Sequence, residues 1–481
     1  MGFFPALPTL ADQTPPNESL ENKIVRTVRI EDLLDYAYRS NPDIKAAREQ
    51  AQAAGELYRV DTGYPDPQVM VTYFPSPIET RLGPQDWNAT LSQSIPYPGK
   101  LQKAGEVATA KADIADLAVD KVIRDVALAV KMSFHELYYI QTSRDIVNRQ
   151  IELFDNLIKT TESAYAQDRV TLVAVINAHS HMDALQKDLL LLDSMESAEA
   201  AKLNDLLNRN PDASFGKVET PVLKPLTTSL EELYRLAETS QEDIQMATTR
   251  IQQKDAELDL ARYQNRPDFK VGLFYAAIGN PDVVTPPPDA GNDALGVQFS
   301  VSIPLWRKKN DGRVEMARAE RAAAESDRSS KVNSVQSRVR ALYYNLERSK
   351  GIIALYEDKL LPQAKTAVDA TETWFLAKQP NFSDFVEAQS LWYKFQLALA
   401  RARADYGEDL ARLERLVETG DRPVLRHANS VTTEGGRSEV GGQMGAKEVR
   451  GDREKAMEEG RGKREEKATT FHTSMVSHPS S

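Results

Sequence analysis

The segment Leu295-Gly296-Val297-Gln298-Phe299-Ser300-Val301-Ser302-Ile303-Pro304, followed by a run free of Gly and Pro from Arg313 to Lys350, decides the fold of this chain. Leu295, Val297, Phe299, Val301 and Ile303 alternate with small or polar residues, the period of a strand with one apolar and one polar face. Phe269, Val271, Leu273 and Tyr275 precede it with the same period, and a turn-rich loop from Gly279-Asn280-Pro281 to Gly291-Asn292 joins the two as a hairpin. The arrangement occurs once before. Trp87, Ala89, Leu91 and Ile95 follow Val69, Val71 and Tyr73, across a loop running from Pro75-Ser76-Pro77 to Gly83-Pro84-Gln85-Asp86. Strands of this length suit a tilted membrane strand of about 9–11 residues, although a small sheet resting on the helices in water would read the same way.

Each hairpin leads into long helix. Between Gly105 and Pro211 there is neither Gly nor Pro, and the apolar residues recur in steps of three and four: Val119, Ile123, Val126, Val130, Phe134 and Leu137, then Met182, Leu185, Leu189 and Leu192. That is an amphipathic stripe close to coiled-coil usage. The pattern resumes after Arg313 and continues, with isolated interruptions at Gly351, Pro362, Pro380 and Gly407, to about Val417. A helix from about Leu101 to Tyr165 is roughly 100 Å long, too long for a compact domain.

Composition narrows the function. The 481 residues carry 60 Lys+Arg against 71 Asp+Glu, a net charge of −11, and no cysteine. Disulfides, thiolate metal sites, cysteine nucleophiles and an N-terminal lipidated cysteine are excluded, and the acidic balance argues against nucleic acid. No run of 18 apolar residues marks a membrane helix, a test to which a β-barrel is blind. There is no Gly-rich phosphate loop, no His-Glu-x-x-His and no Gly-x-Ser-x-Gly, so no enzyme and no cofactor are expected. His179 and His181 sit two apart on a helix and do not converge; His179 is placed on the packed stripe with Met182, His135 stands alone, and no metal site is assigned. Met1 to Pro8 lacks a basic start and is broken by prolines, the character of a signal-peptide remnant.

The two halves repeat. Glu31, Leu33, Asp43 and Ile44 fall on Glu231, Leu233, Asp243 and Ile244 at an offset of 200; Pro65-Asp66 and Tyr73 on Pro267-Asp268 and Tyr275 at 202. Ser92, Ser94, Ile95 and Pro96 fall on Ser300, Ser302, Ile303 and Pro304 at 208, Leu137-Tyr138-Tyr139 on Leu342-Tyr343-Tyr344 at 205, and Ala178 on Ala388 at 210. The expected organisation is an extended N-terminal segment over 1–27 and a first repeat over 28–212, with strands about 67–74 and 87–95 and helices about 99–165 and 172–209. A linker over 213–228 leads to a second repeat over 229–418, with strands about 268–276 and 294–303 and helices about 307–376 and 382–417. A tail over 419–481 follows; from Ala428 it holds nine basic and nine acidic residues, eight glycines and one aromatic, a composition expected to be disordered. Four strands are too few to close a barrel, and an open sheet cannot face lipid, so copies must pool strands.

On the duplicated unit, the hairpins ahead of long helices and the Ser-x-Ser-Ile-Pro junctions, the chain from about Val28 to Val417 resembles the outer-membrane efflux protein (TolC-like) family. Ile95-Pro96-Tyr97-Pro98-Gly99-Lys100-Leu101 is similar to the junction of its heavy-metal and cation efflux branch. The resemblance implies a mainly α fold with a membrane β-barrel contribution: a homotrimer with a 12-strand barrel in the outer membrane of a Gram-negative bacterium, on a long periplasmic α-helical barrel. It implies a passive exit duct that docks on a periplasmic adaptor and an inner-membrane pump of the resistance-nodulation-division type, with metal cations or small toxic compounds as cargo. It also implies roles for the reversals of the helices. Gln167, Asp168, Arg169, Val170 and Thr171 at the first tip, and Lys378, Gln379, Pro380, Asn381 and Phe382 at the second, would meet the adaptor. Members often have Gly where Asp168 and Lys378 stand; Asp tolerates the left-handed backbone that Gly provides better than Lys does. Asp384 and Glu387, three apart on one helix face, fall on the acidic constriction of the closed mouth, whereas Ala174 and Asn177 of the first repeat carry no charge. The alternatives are a type I secretion duct and a non-membrane coiled-coil interaction protein.

Overall fold

The computed structural model describes residues 16–376 and 382–417. In chain order these are α1 (Pro16–Arg26), β1 (Thr27–Val28), α2 (Ile30–Ser40), α3 (Pro42–Thr62), β2 (Gln68–Thr80), β3 (Gly83–Ile95), α4 (Lys100–Tyr165) and α5 (Leu172–Leu206). Then follow β4 (Lys217–Val218), α6 (Leu230–Ser240), α7 (Glu242–Tyr263), β5 (Asp268–Ile278), β6 (Ala294–Ser302), α8 (Arg307–Leu355), a π-helical turn (Tyr356–Leu360), α9 (Leu361–Leu376) and α10 (Phe382–Val417). One order, two short helices, hairpin, long helix, returning helix, is used twice. With 66 residues, α4 runs about 100 Å.

Corners between short helices are built by capping. The Asn41 side chain accepts from the N–H groups of Asp43 and Ile44, Pro42 occupies the first turn where its missing N–H costs nothing, and Asn41 Nδ2 donates to the Leu206 carbonyl at 2.9 Å. Ser229 and Gln241 cap α6 and α7 in the same way.

The core lies along the helices. Leu33 and Ala37 of α2 and Leu233 and Ala237 of α6 are all fully buried, the first pair against Val130, Phe134 and Leu137 of α4, the second against Val335, Val339 and Leu346 of α8. The two halves meet where α4 packs against α7 and α10. A buried carboxylate joins them there: Glu242, at the start of α7, accepts from Arg415 of α10 at 2.7 Å and pairs with Arg124 of α4 at 2.6 Å. Burial would lower the Arg415 guanidinium, but Glu242 and Asp125 together hold it above its ordinary value.

Five boundaries differ from the sequence reading. Residues 16–26 of the N-terminal segment expected to be extended are helical, because Leu20 and Ile24, four apart, bury one face against α2. Within the 213–228 linker, β4 pairs in parallel with β1. The helix expected over 307–376 is interrupted at Tyr356–Leu360, where the Leu361 N–H reaches back five residues to Tyr356; Pro362, without an N–H, follows at once. The helix expected to 209 stops at Leu206, since Asn208 is left-handed (φ 53°) and the Arg209 N–H bonds back to the Asn204 carbonyl, a Schellman end. Lastly, β2 and β3 run six and four residues further into the loop than expected, with a bulge between Tyr73 and Ile78 that absorbs Pro75 and Pro77. The tail expected over 419–481 lies outside the described residues.

Candidate functional site

The four long strands form one antiparallel sheet in the order β2-β3-β5-β6. Its register draws the alternating residues into rows. Val69, Leu91, Leu273 and Val297 lie side by side, as do Val71, Ala89, Tyr275 and Leu295. On the opposite face run Gln68, Ser92, Gly272 and Gln298, and Thr72, Asn88, Ala276 and Ala294. Burial is inverted relative to a water-soluble sheet: Val69 is 71% exposed and Phe299 79%, whereas Thr90 and Ser92 are 7% and 8%. An apolar outer face over a polar inner one is the pattern of a barrel wall in lipid. Both β2 and β6 carry an unpaired edge among the described residues.

The junction motif of the first repeat clamps this sheet to the helices. Gly99 caps α4 with φ 90°, and a Cβ there would lie 2.7 Å from the Tyr263 ring. Asp268, the first residue of β5, accepts from the Tyr97 N–H at 2.9 Å and from Lys100 Nζ at 2.7 and 2.8 Å. Sequence reasoning singled out Tyr97 to Lys100 as a motif but missed Asp268 as its partner. The Pro-Asp step repeated at 65 and 267 was the signal that could have found it.

At the other end of the helices, α4 turns into α5 through a second Schellman motif. The Arg169 N–H bonds to the Ala164 carbonyl and the Asp168 N–H to Tyr165, with Asp168 left-handed at φ 53°. Gln167, Asp168, Arg169 and Thr171 are exposed and Val170 half-buried against the core formed by α4, α5 and α10. Of the second tip, Lys378, Gln379, Pro380 and Asn381 lie outside the described residues, and Phe382 begins α10. Asp384 and Glu387 are both exposed on the first turns of α10, while Phe385, Val386, Ala388 and Gln389 are buried. The two carboxylates thus stand together on the face turned away from the packed helices. Nearby, Tyr393 donates to Asp188 at 3.2 Å; burial first and the Asp188 charge second push its phenol up.

The histidines divide. His179 is exposed, with Nε2 3.1 Å from Glu162 Oε1 across the α4–α5 hairpin, and so does not share the packed stripe with Met182 as expected. His181 rests by the Phe154 ring. His135 is 8% exposed, and its ring presses on Gly407 of α10; burial first and Lys131 second push the imidazole down to about 4. The lone helix breaker at 407 was the sequence signal of that close approach. Among the described residues, no three His, Asp or Glu side chains gather into a group that could hold a metal ion, and no helix is long and apolar enough to cross a membrane.

Comparison with known proteins agrees with this geometry. Residues 233–418 match the outer membrane efflux protein family. The outer membrane protein TolC of Vibrio cholerae is 20% identical over 398 residues, covering 81% of this chain and 90% of the relative. The solved structure of CusC superposes with a TM-score of 0.68 at 13% identity, covering 81% of this chain and 91% of CusC. That of the outer membrane protein VceC from Vibrio cholerae superposes at 0.66 and 18% identity, covering 80% and 95%. The family model matches the second half of the chain, the TolC likeness runs through both halves and the fold is shared, so the chain is similar to the TolC-like outer-membrane efflux proteins.

Proposed function

We propose that the protein is the exit duct of a tripartite efflux system: a homotrimer of the duplicated unit, with twelve pooled strands in the outer membrane and the long helices enclosing a periplasmic tunnel. The observation that carries this reading is the inverted sheet, whose exposed apolar face suits lipid and whose two free edges require further strands. A non-membrane coiled-coil protein has no use for such a face. In the duct, the tips at Gln167 to Thr171 and Lys378 to Phe382 meet a periplasmic adaptor, and the adaptor joins an inner-membrane pump of the resistance-nodulation-division type that supplies the energy. The duct itself is a passive conduit for metal cations or small toxic compounds.

Asp384 and Glu387 of three copies place six carboxylates around the axis, a ring that favours cations and resists anions. The test is single-channel conductance of the reconstituted protein. With Asp384→Asn and Glu387→Gln combined, preference for cations and block by divalent ions should both fall. Unchanged selectivity removes these residues from the constriction, and a monomer that stays soluble without detergent rejects the duct as a whole.

A further inference from the structure

The apolar face of the sheet does not stop at the end of β6. Beyond Val301 and Ile303 it is continued by Leu305 and Trp306, 73% and 76% exposed, and the next three residues, Arg307-Lys308-Lys309, are exposed as well. From Leu295 to Leu305 the chain advances ten residues, about 33 Å at the rise of a strand. Tilted by about 40°, that length covers a depth of about 25 Å, the height of the apolar band on a membrane barrel. Leu295 pairs with Tyr275, whose ring lies 5.3 Å from that of Trp87 between centroids, so aromatic residues mark one rim of the band. Trp306 marks the other, on the side of the helices, where an indole is favoured. The three cations stand just beyond it.

Charge separates the two rims. On the helix side, segments 63–68, 93–103, 264–270 and 303–313 hold eight basic and three acidic residues, in a chain whose net charge is −11. The loops at the far side, 75–86 and 278–293, hold one basic and five acidic residues. Several of the basic residues on the helix side are already engaged: Lys100 pairs with Asp268, Lys103 with Glu106 and Asp259, and Lys270 donates to Gln68 at 2.9 Å. Arg307, Lys308 and Lys309 make no ion pair among the described residues, with Asp311 or any other acid. Nor do they serve α8, since the first turn of a helix favours acidic residues and this one holds none. By the offset of 208, Trp306, Arg307 and Lys309 stand where the first repeat has Pro98, Gly99 and Leu101, so the second junction alone carries an aromatic and a basic cluster.

We propose that Trp306, Arg307, Lys308 and Lys309 form a docking surface for the headgroups of anionic phospholipid in the membrane leaflet on the helix side of the sheet. The proposal rests on the reading of the sheet as a barrel wall in lipid and adds to it a choice among lipids. Two arguments select this occupant. The patch is continuous with the apolar face, so a lipid whose acyl chains lie on Val301, Ile303 and Leu305 carries its own headgroup to the level of the cations. The charge is complementary, because guanidinium and ammonium groups bond phosphate oxygens and an anionic leaflet attracts basic side chains at its surface. A free phosphate would find the cations but has no use for Leu305 and Trp306.

The test counts lipid retained by the detergent-extracted full chain in native mass spectrometry, with phosphatidylglycerol and phosphatidylcholine of the same acyl chains as probes. The protein should hold phosphatidylglycerol the more tightly. A basic residue near an anionic surface is worth roughly a factor of five, so Arg307→Gln, Lys308→Gln and Lys309→Gln combined should lower that preference by about tenfold or more. Arg307→Lys, which keeps the charge, should leave the preference in place, and Trp306→Ala should weaken both lipids alike. For the unaltered protein the preference should shrink as salt rises, a measurement that stands even if the triple variant fails to assemble. A lipid-binding particle that does not distinguish the two lipids, a preference indifferent to salt, or a triple variant that keeps it overturns the docking surface and leaves the barrel standing. So does displacement of phosphatidylglycerol by an equal concentration of inorganic phosphate, which would reduce the cluster to an anion site. A chain that stays soluble as a monomer without detergent overturns both readings.

Discussion

Replacing Gly407 with Ala isolates the contact between the two halves of the molecule. A Cβ at 407 would lie 2.4 Å from both Cε1 and Nδ1 of His135 and 2.8 Å from Nε2. Ordinary carbon contacts begin near 3.5 Å, so ring or helix must yield by about 1 Å. The ring has little room to move, being 8% exposed and flanked by Phe134 at 5.5 Å between centroids. Overpacking of this kind costs about 1–3 kcal/mol, against a gain of about 1 kcal/mol from Ala over Gly inside a helix. The net expectation is a loss of about 1 kcal/mol. Pairing it with His135→Ala makes the sign decisive, because with the ring gone only the helix propensity acts and Gly407→Ala should stabilise by about 1 kcal/mol. The assay is a double-mutant cycle on unfolding followed by far-ultraviolet circular dichroism, in one detergent and at one protein concentration. An equal effect of Gly407→Ala in both backgrounds would refute the contact between His135 and α10.

The same imidazole makes stability depend on pH. Its folded-state value of about 4 lies below the 6.5 of an ordinary histidine, so between these pH values the unfolded chain binds a proton that the folded chain does not. The contribution is complete above about pH 6.5 and lost as pH falls towards 4, roughly 3 kcal/mol in all; His135→Gln should flatten the measured stability curve over that window by a comparable amount. At the first tip, Asp168→Gly should raise the unfolding midpoint by up to about 1 kcal/mol in stability, because Gly carries no Cβ penalty in the left-handed region. Asp168→Val should lower it by about 1–2 kcal/mol. Equal midpoints for the two variants would show that the turn is not held as described.

What the sequence made legible was whatever repeats at short range. Alternation from Leu295 to Ile303 marked a strand, and the absence of breakers after Gly105 marked a helix. Asp168 was readable as a residue fit for a left-handed turn. Errors arose where a local signal was overruled by a distant contact. Pro75 and Pro77 read as loop, yet the bulge between Tyr73 and Ile78 takes both out of the hydrogen-bonded ladder and the strand resumes beyond it. His179 shares the helical period of Met182, but the hairpin brings Glu162 to the other side of α5 and holds the ring there. Bonds such as Lys100 to Asp268 and Glu242 to Arg415 join residues more than 160 positions apart. No periodicity announces these; only the internal repeat, applied to the pairs and not merely to the elements, narrows the search.

The central seam of the sheet also orders events in time. It joins Leu91 to Leu273, and everything between them includes α4, α5, α6 and α7. Closing so long a loop is entropically slow, whereas the helices gather from neighbours in the chain. Once α4 and α7 lie side by side, the ends of β3 and β5 are delivered together and the loop left to close is only a few residues on each side. The hairpins are therefore expected to remain two separate ribbons until the helical part has formed. A defect at the buried Glu242, far from the strands, should then appear as a delay in sheet formation: the early helical signal arrives on schedule and the late β signal does not.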